Sequence, residues 1–225
     1  MRTEQLVEAY PVLYHMAEDG SWPSVSRHGL LSTAALVDLF EVEESRRDAI
    51  LARRRGANVQ LTHPRIGHAV VRDQLPMYEG PLAAALDDGL TPTDWYRLLN
   101  EHVFFWVRAE RLHRLLGARA YRDRPHLVLE FNTSEMVQRY AEHIRLTPMN
   151  TGNTQPAAAR RGLRTFLPIA EYPYDKRRRA GLDPLVELAV RGGVPDATAI
   201  VRRASRWQGA ELLARIHRST ADMTA

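Results

Sequence analysis

The chain has 225 residues, 44% apolar and 26% charged, with 13 glycines, 13 prolines and a net charge of +4. This ordinary globular composition excludes disorder and fibrous repeats, and the length suffices for one sizeable core, so a single domain over residues 1–225 is expected. No cysteine is present, which excludes disulfides, thiolate metal sites and cysteine nucleophiles.

Gln5 to Tyr10 reads as a short amphipathic helix, and Val12-Leu13-Tyr14-His15-Met16 as a strand. Ser21 suits the N-cap of a helix through Arg27 that Gly29 stops, and Ser32 caps a second carrying Leu36, Val37, Leu39 and Phe40. Glu43 to Arg55 places acids in its first turn and arginines in its last, as the helix dipole favours. Asn58–Leu61 and His68–Arg72 form a hairpin pattern around His63–Gly67. Thr91-Pro92-Thr93-Asp94 starts a helix ending near Asn100. Val103 to Val107 follows as a buried strand, then a helix from Arg108 to Leu116 that Gly117 stops. His126 to Phe131 alternates as a strand, and Asn132 with Glu135 resembles a capping box.

From Pro148 to Asp183 the periodicity dissolves into turn chemistry. So long an irregular stretch inside one domain is usually functional. Leu185 to Val190 is a strand, and Trp207 to His217 reads as a helix, giving a peripheral C-terminal helix over about 204–225. Non-repeating helices mixed with short strands predict an α+β fold.

No G-x-G-x-x-G, Walker-type, H-E-x-x-H or G-x-S-x-G run occurs, which removes the motif-borne nucleotide, zinc and serine-hydrolase classes. No metal site is expected. The first residues enter no apolar stretch of signal-peptide type, and no window approaches ~18 apolar residues. A soluble, cytoplasmic protein without membrane contact is therefore expected. Arginine clusters at Arg53–Arg55, Arg160–Arg161, Arg177–Arg179 and Arg202–Arg203. Its planar fork suits phosphate, so nucleic acid is a candidate partner, although each cluster alone also reads as a solvated face.

Three polar residues stand out: His15 and Glu187, set among apolar strand neighbours, and Arg72 at the end of the hairpin. A buried charge needs a partner, whereas strand alternation would also let Glu187 face water. The runs around them share an order with a known family. Leu13-Tyr14-His15-Met16, Ser21–Val25 and His28-Gly29-Leu30-Leu31-Ser32 resemble the N-terminal signature of the DarT-type ADP-ribosyltransferases. Val103-Phe104-Phe105-Trp106 is similar to that family's aromatic strand, and Val186 to Pro195 to its last motif, a glutamate-bearing strand followed by a Val-Pro turn.

The resemblance implies an ADP-ribosyltransferase-like fold: a split, mixed or antiparallel sheet around an NAD cleft, with flanking helices. It implies mono-ADP-ribosyl transfer from NAD, with Glu187 catalytic and Arg72 assisting. His15, Tyr14, Ser32, Phe104 and Phe105 would bind NAD. The acceptor would be single-stranded DNA or RNA, met by Arg177, Arg178, Arg179, Tyr172 and Tyr174 in the irregular stretch, with Arg160 and Arg161 beside the cleft. A toxin-like role would add a neutralising partner protein. Alternatives are the same fold with another NAD reaction (NAD glycohydrolase or RNA 2′-phosphotransferase) or a non-catalytic module binding nucleic acid or protein.

Overall fold

The alternating and aromatic runs become one sheet, and the capped amphipathic runs become helices on its two faces. A computed structural model describes residues 1–219. In chain order α1 (Thr3–Ala9) leads into β1 (Val12–Glu18), α2 (Trp22–His28), β2 (Leu30–Leu31), α3 (Thr33–Leu39) and α4 (Glu44–Leu51). The hairpin of β3 (Val59–His63) and β4 (Gly67–Val71) follows, then α5 (Glu79–Ala85), α6 (Pro92–Asn100), β5 (His102–Trp106) and α7 (Ala109–Leu116). Next come β6 (Pro125–Asn132), α8 (Thr133–Tyr140) and β7 (Ile144–Thr147), then an irregular stretch containing α9 (Tyr174–Arg179). The last elements are β8 (Glu187–Arg191), β9 (Gly193–Val194), α10 (Ala197–Ile200), β10 (Val201–Gln208) and β11 (Glu211–Arg218).

Local chemistry sets the helix starts. Ser32 Oγ accepts from Ala35 N–H at 3.2 Å, Thr91 and Asp94 close a reciprocal capping box, and Asn132 Oδ1 accepts from Ser134 N–H at 2.9 Å. The helix predicted over Glu43–Arg55 stops at Leu51 because Arg55 turns inward. Its guanidinium donates to Ile50 O at 2.6 Å, Arg72 O at 2.9 Å and Asn100 Oδ1 at 3.0 Å.

Seven strands form an antiparallel sheet in the order β11-β10-β6-β1-β5-β8-β7. β1 pairs with β6 along seven positions and β5 with β8 along five, yet β1 and β5 meet only at Tyr14↔Trp106. The sheet is thus two ladders joined at one pair, and it opens between His15–Glu18 and His102–Phe105. Leu13, Phe105, Leu129 and Leu188 point into the main core beneath α1 and α8, whereas Met16 and Val128 pack under α7, and Phe104 and Ala189 against α6. A satellite core of Val37, Phe40, Ile50, Leu61 and Val71 joins α3, α4 and the β3–β4 hairpin.

β2 and β9 cross at Leu30↔Val194, tying the His28–Ser32 run to the Arg191–Pro195 run. The crossing needs glycine on both sides. Gly29 (φ +85°) and Gly193 (φ +105°) would each place a Cβ 2.4 Å from backbone, of Pro195 and Leu30 respectively.

The helix predicted over Trp207–His217 is not formed. β10 and β11 make a hairpin there, and β10 pairs with β6 through Pro125. Gly209 (φ +53°) turns the chain between the two strands, and β6 presents a ladder edge that a helix would leave unpaired. Of the C-terminal helix expected over about 204–225, residues 220–225 lie outside the described ones. No helix among the described residues is long and apolar enough to cross a membrane.

Candidate active site

A cleft of about 320 Å³ enters the sheet where β1 and β5 part. Its walls come from His15–Glu18, His102–Trp106, the α2–β2 junction, the end of β4, Asn150–Gly152 and Glu187. His15 and Glu187 are brought to this one cleft, joined there by Ser32, Arg72, Phe104 and Phe105.

Glu187 opens β8, opposite Trp106 on one side and Thr147 on the other. It is 4% exposed. Its Oε2 accepts from Thr151 N–H at 3.0 Å, from the Thr151 hydroxyl at 2.8 Å and from the Thr147 hydroxyl at 3.4 Å. Burial pushes the carboxyl up to about 7, against the hydrogen bonds from Thr151 and Thr147 and the charge of Arg111, which hold it down. Near neutral pH the protonated and ionised forms are therefore both populated, as an acid–base carboxyl requires.

His15 fills the opening of the sheet. Its Nδ1 lies 2.8 Å from Phe104 O, and a carbonyl only accepts, so Nδ1 carries the hydrogen. Burial, the largest effect, drives the imidazole down to about 4, with Arg72 acting in the same direction and the Phe104 bond opposing it. The ring is neutral at pH 7, and its Nε2 is the acceptor left for a hydroxyl donor.

Arg72 ends the hairpin at the rim. Its Nη1 donates to Met16 O at 3.0 Å, and its guanidinium lies 5.0 Å over the Tyr121 ring. Arg72 Nε and Glu18 Oε2 stand 4.0 Å apart, and both are buried without a hydrogen bond. Arg124 spans Glu18 and Asp73, and Tyr121 donates to Asp73 at 2.8 Å. The result is a charged rim bordering the neutral His15.

The other expected NAD-binding residues divide. Ser32 is buried at the cleft and its oxygen caps α3. Phe104 lines the cleft, while Phe105 also packs edge-on against Phe131 at 5.4 Å in the main core. Tyr14 is not at the cleft, because strand alternation turns it beside Trp106 under α7.

The expected acceptor residues are corrected more deeply. Tyr172 and Tyr174 are 2% and 7% exposed. Tyr172 donates to Pro184 O at 2.7 Å, and Tyr174 meets Tyr10 edge-on at 6.2 Å, so neither is free to stack on a base. Arg177 is spent on Asp183 O at 3.0 Å and Pro148 O. Arg178 is two-thirds exposed and Arg179 donates to Asp175 O; neither lines the cleft. Arg160 pairs with Asp87, and Arg161 is buried among loop carbonyls, so this pair does not line the cleft either.

Sequence reasoning missed Thr151, whose only signal was a small hydroxyl residue in the turn preceding the glutamate strand. Among the described residues no group of three or more His, Asp or Glu could hold a metal ion.

Residues 11–201 match a family of unknown function, DUF7002, and the chain belongs to that family. The matched span contains both walls of the cleft and ends where β10 begins. No curated protein matches the chain.

Proposed function

We propose that the chain is a mono-ADP-ribosyltransferase that uses NAD as its substrate, on an ADP-ribosyltransferase-like fold. One observation carries the reading: a histidine from β1, its Nδ1 held by Phe104 O, and a buried glutamate from β8 share a single cleft at the opening of a split sheet. The motif resemblance named those two residues for the same site.

The residue chemistry suits the reaction. The bond between ribose C1′ and the nicotinamide nitrogen breaks, and its electron pair leaves with nicotinamide, discharging the pyridinium. C1′ is left oxocarbenium-like, as in glycoside cleavage. The ionised form of Glu187 stabilises that charge and takes the proton that the acceptor loses as it bonds to C1′. His15 Nε2 accepts from a ribose hydroxyl, and Phe104 offers the cleft a flat apolar wall. Arg72 supplies positive charge at the rim for phosphate. The cleft volume falls within the range of small-molecule sites.

Single-stranded nucleic acid is the acceptor we favour. The chain is basic overall. Arg177 ties α9 to Pro148, two residues from the cleft-lining Asn150, and Arg178 of the same helix is two-thirds exposed. Tyr172 and Tyr174 have no part in it.

The test incubates the protein with NAD labelled in its adenosine half and, separately, DNA, RNA and protein pools. Nicotinamide release with label in single-stranded nucleic acid is expected. Label in protein alone would redirect the acceptor, and free ADP-ribose alone would make the chain an NAD glycohydrolase. No nicotinamide release in any mixture overturns the reading.

A further inference from the structure

All the hydrogen bonds to the Glu187 carboxyl converge on Oε2. Oε1 accepts none of them and is not among the buried atoms without a partner, so it is the oxygen open to the cleft. A carboxylate gripped through one oxygen presents the other in a fixed direction.

The grip depends on Thr151, which belongs to no strand. Its place is set by Arg161. Arg161 is 2% exposed, and its donors all go to carbonyls of one loop: Nη1 to Thr151 O at 3.1 Å, Nη2 to Asn153 O at 3.0 Å and Nε to Ala159 O at 2.9 Å. The guanidinium lies 5.7 Å over the ring of Trp95 on α6. The Arg161 backbone is also tied down, with N–H to Ala85 O at 2.9 Å and O accepting from Asp87 N–H at 2.8 Å. A buried cation with no carboxylate in ion-pair contact is costly, so a fold that keeps one at this position uses it for more than filling space.

We propose that Arg161 and Thr151 are positioning residues that act in series: the Arg161 fork folds the 150–159 loop, the loop holds Thr151, and Thr151 fixes Glu187 with Oε1 turned to the cleft. The proposal rests on the reading of Glu187 as the catalytic carboxylate. Neither residue touches the substrate.

The groups acting on Glu187 come from several elements. Arg111 of α7, itself paired with Asp183, and Arg161 of the loop are the charges; Thr147 of β7 and Thr151 give hydrogen bonds; Trp106 of β5 is uncharged. His15 and Arg72 face the same cleft from β1 and β4, with His15 neutral.

Thr151→Val keeps the shape and the backbone N–H but removes the hydroxyl that favours the ionised carboxyl. The Glu187 titration midpoint should rise by about one pH unit. Nicotinamide release at pH 7 should fall roughly fivefold, as the ionised fraction drops from about a half to about a tenth, and recover as pH rises. Thr151→Ser should restore both. Arg161→Lys keeps the charge but cannot fork to three carbonyls, so it should reproduce the upward shift.

The midpoint is read by NMR on carboxyl-labelled glutamate, with the Glu187 signal assigned by its loss in Glu187→Gln. An unchanged midpoint in Thr151→Val, or an equal loss of activity at every pH, overturns the role of Thr151. Arg161→Lys behaving as wild type overturns that of Arg161. Thr151→Ala carries the same test if the valine variant does not fold. A wild-type protein that releases no nicotinamide defeats the functional reading alone, because the NMR titration still decides the positioning chain.

Discussion

The two halves of the stretch between β7 and β8 look alike in sequence, rich in turn residues and arginine, and they have opposite fates. The first half, Asn150 to Arg161, meets the cleft through its opening turn: Thr151 holds Glu187, and Thr154 is anchored to Pro76 O by its N–H at 3.1 Å. The second half, Ile169 to Arg179, turns away. Ile169, Tyr172 and Tyr174 enter the main core, and Asp175 accepts from Gln5 of α1 at 3.0 Å. The difference lies in side-chain size. Small hydroxyls with donors to give suit a buried carboxyl, while large aromatics gain most by leaving water. An irregular backbone therefore says little about where a segment docks, and its side chains decide.

Substitutions can separate the two halves. The largest effect is expected at the residue the first half serves. Glu187→Gln keeps the shape but cannot carry the negative charge, and nicotinamide release should fall by at least 10²–10³-fold, roughly 3–4 kcal/mol. Single-turnover assays on the folded variant check this.

Tyr174→Ala probes the second half. Removing a buried ring that packs on Tyr10 should cost about 3 kcal/mol of stability. Nicotinamide release per folded molecule should stay within about twofold, in contrast to Glu187→Gln. Denaturant melts beside activity assays give both values. A Tyr174→Ala protein that stays stable but loses activity would erase the distinction between the halves.

Glu187 also makes a pH-dependent contribution to folding. Its carboxyl rises from the ordinary 4.5 to about 7 on folding. Below 4.5 it is protonated in both states and costs nothing. Between about 4.5 and 7 the unfolded chain ionises first, so the folded state loses ground as pH rises. Above 7 the deficit levels off at roughly 3 kcal/mol. Glu187→Gln removes this penalty, so the variant should gain stability relative to wild type across that window. Melts at pH 4 and pH 8 measure the difference.

Much of this architecture was legible in sequence because it is written locally. Caps at Ser32, Thr91 and Asn132, the Gly29 stop, and the alternation around His15 and His126 all depend on near neighbours. The pairing of His15 with Glu187 in one cleft was reachable only through the order of the motifs. The β10–β11 hairpin was not legible, since Leu212, Leu213 and Ile216 fit helical spacing as well as a strand, and the ladder with β6 decides between them. Tyr172 and Tyr174 were misplaced because exposure depends on what α1 and α8 leave uncovered. Thr151 escaped notice because its partner lies 36 residues away.

The smallest expected effect concerns the acceptor. Arg178→Gln with Arg179→Gln should leave nicotinamide release unchanged and lower the salt slope of single-strand binding by about one to two. Arg177 is left intact, because its donors hold the Asp183 and Pro148 carbonyls. Fluorescence anisotropy across a salt series reads the slope, and an unchanged slope removes α9 from the acceptor path.

Calorimetric titration of NAD into wild type, His15→Ala and Glu187→Gln tests the cleft most directly. The account predicts saturable binding to wild type, retained in Glu187→Gln and weakened up to roughly tenfold in His15→Ala by the loss of one hydrogen bond. Absence of binding to wild type, or unchanged affinity in His15→Ala with only a lowered melting temperature, would contradict it.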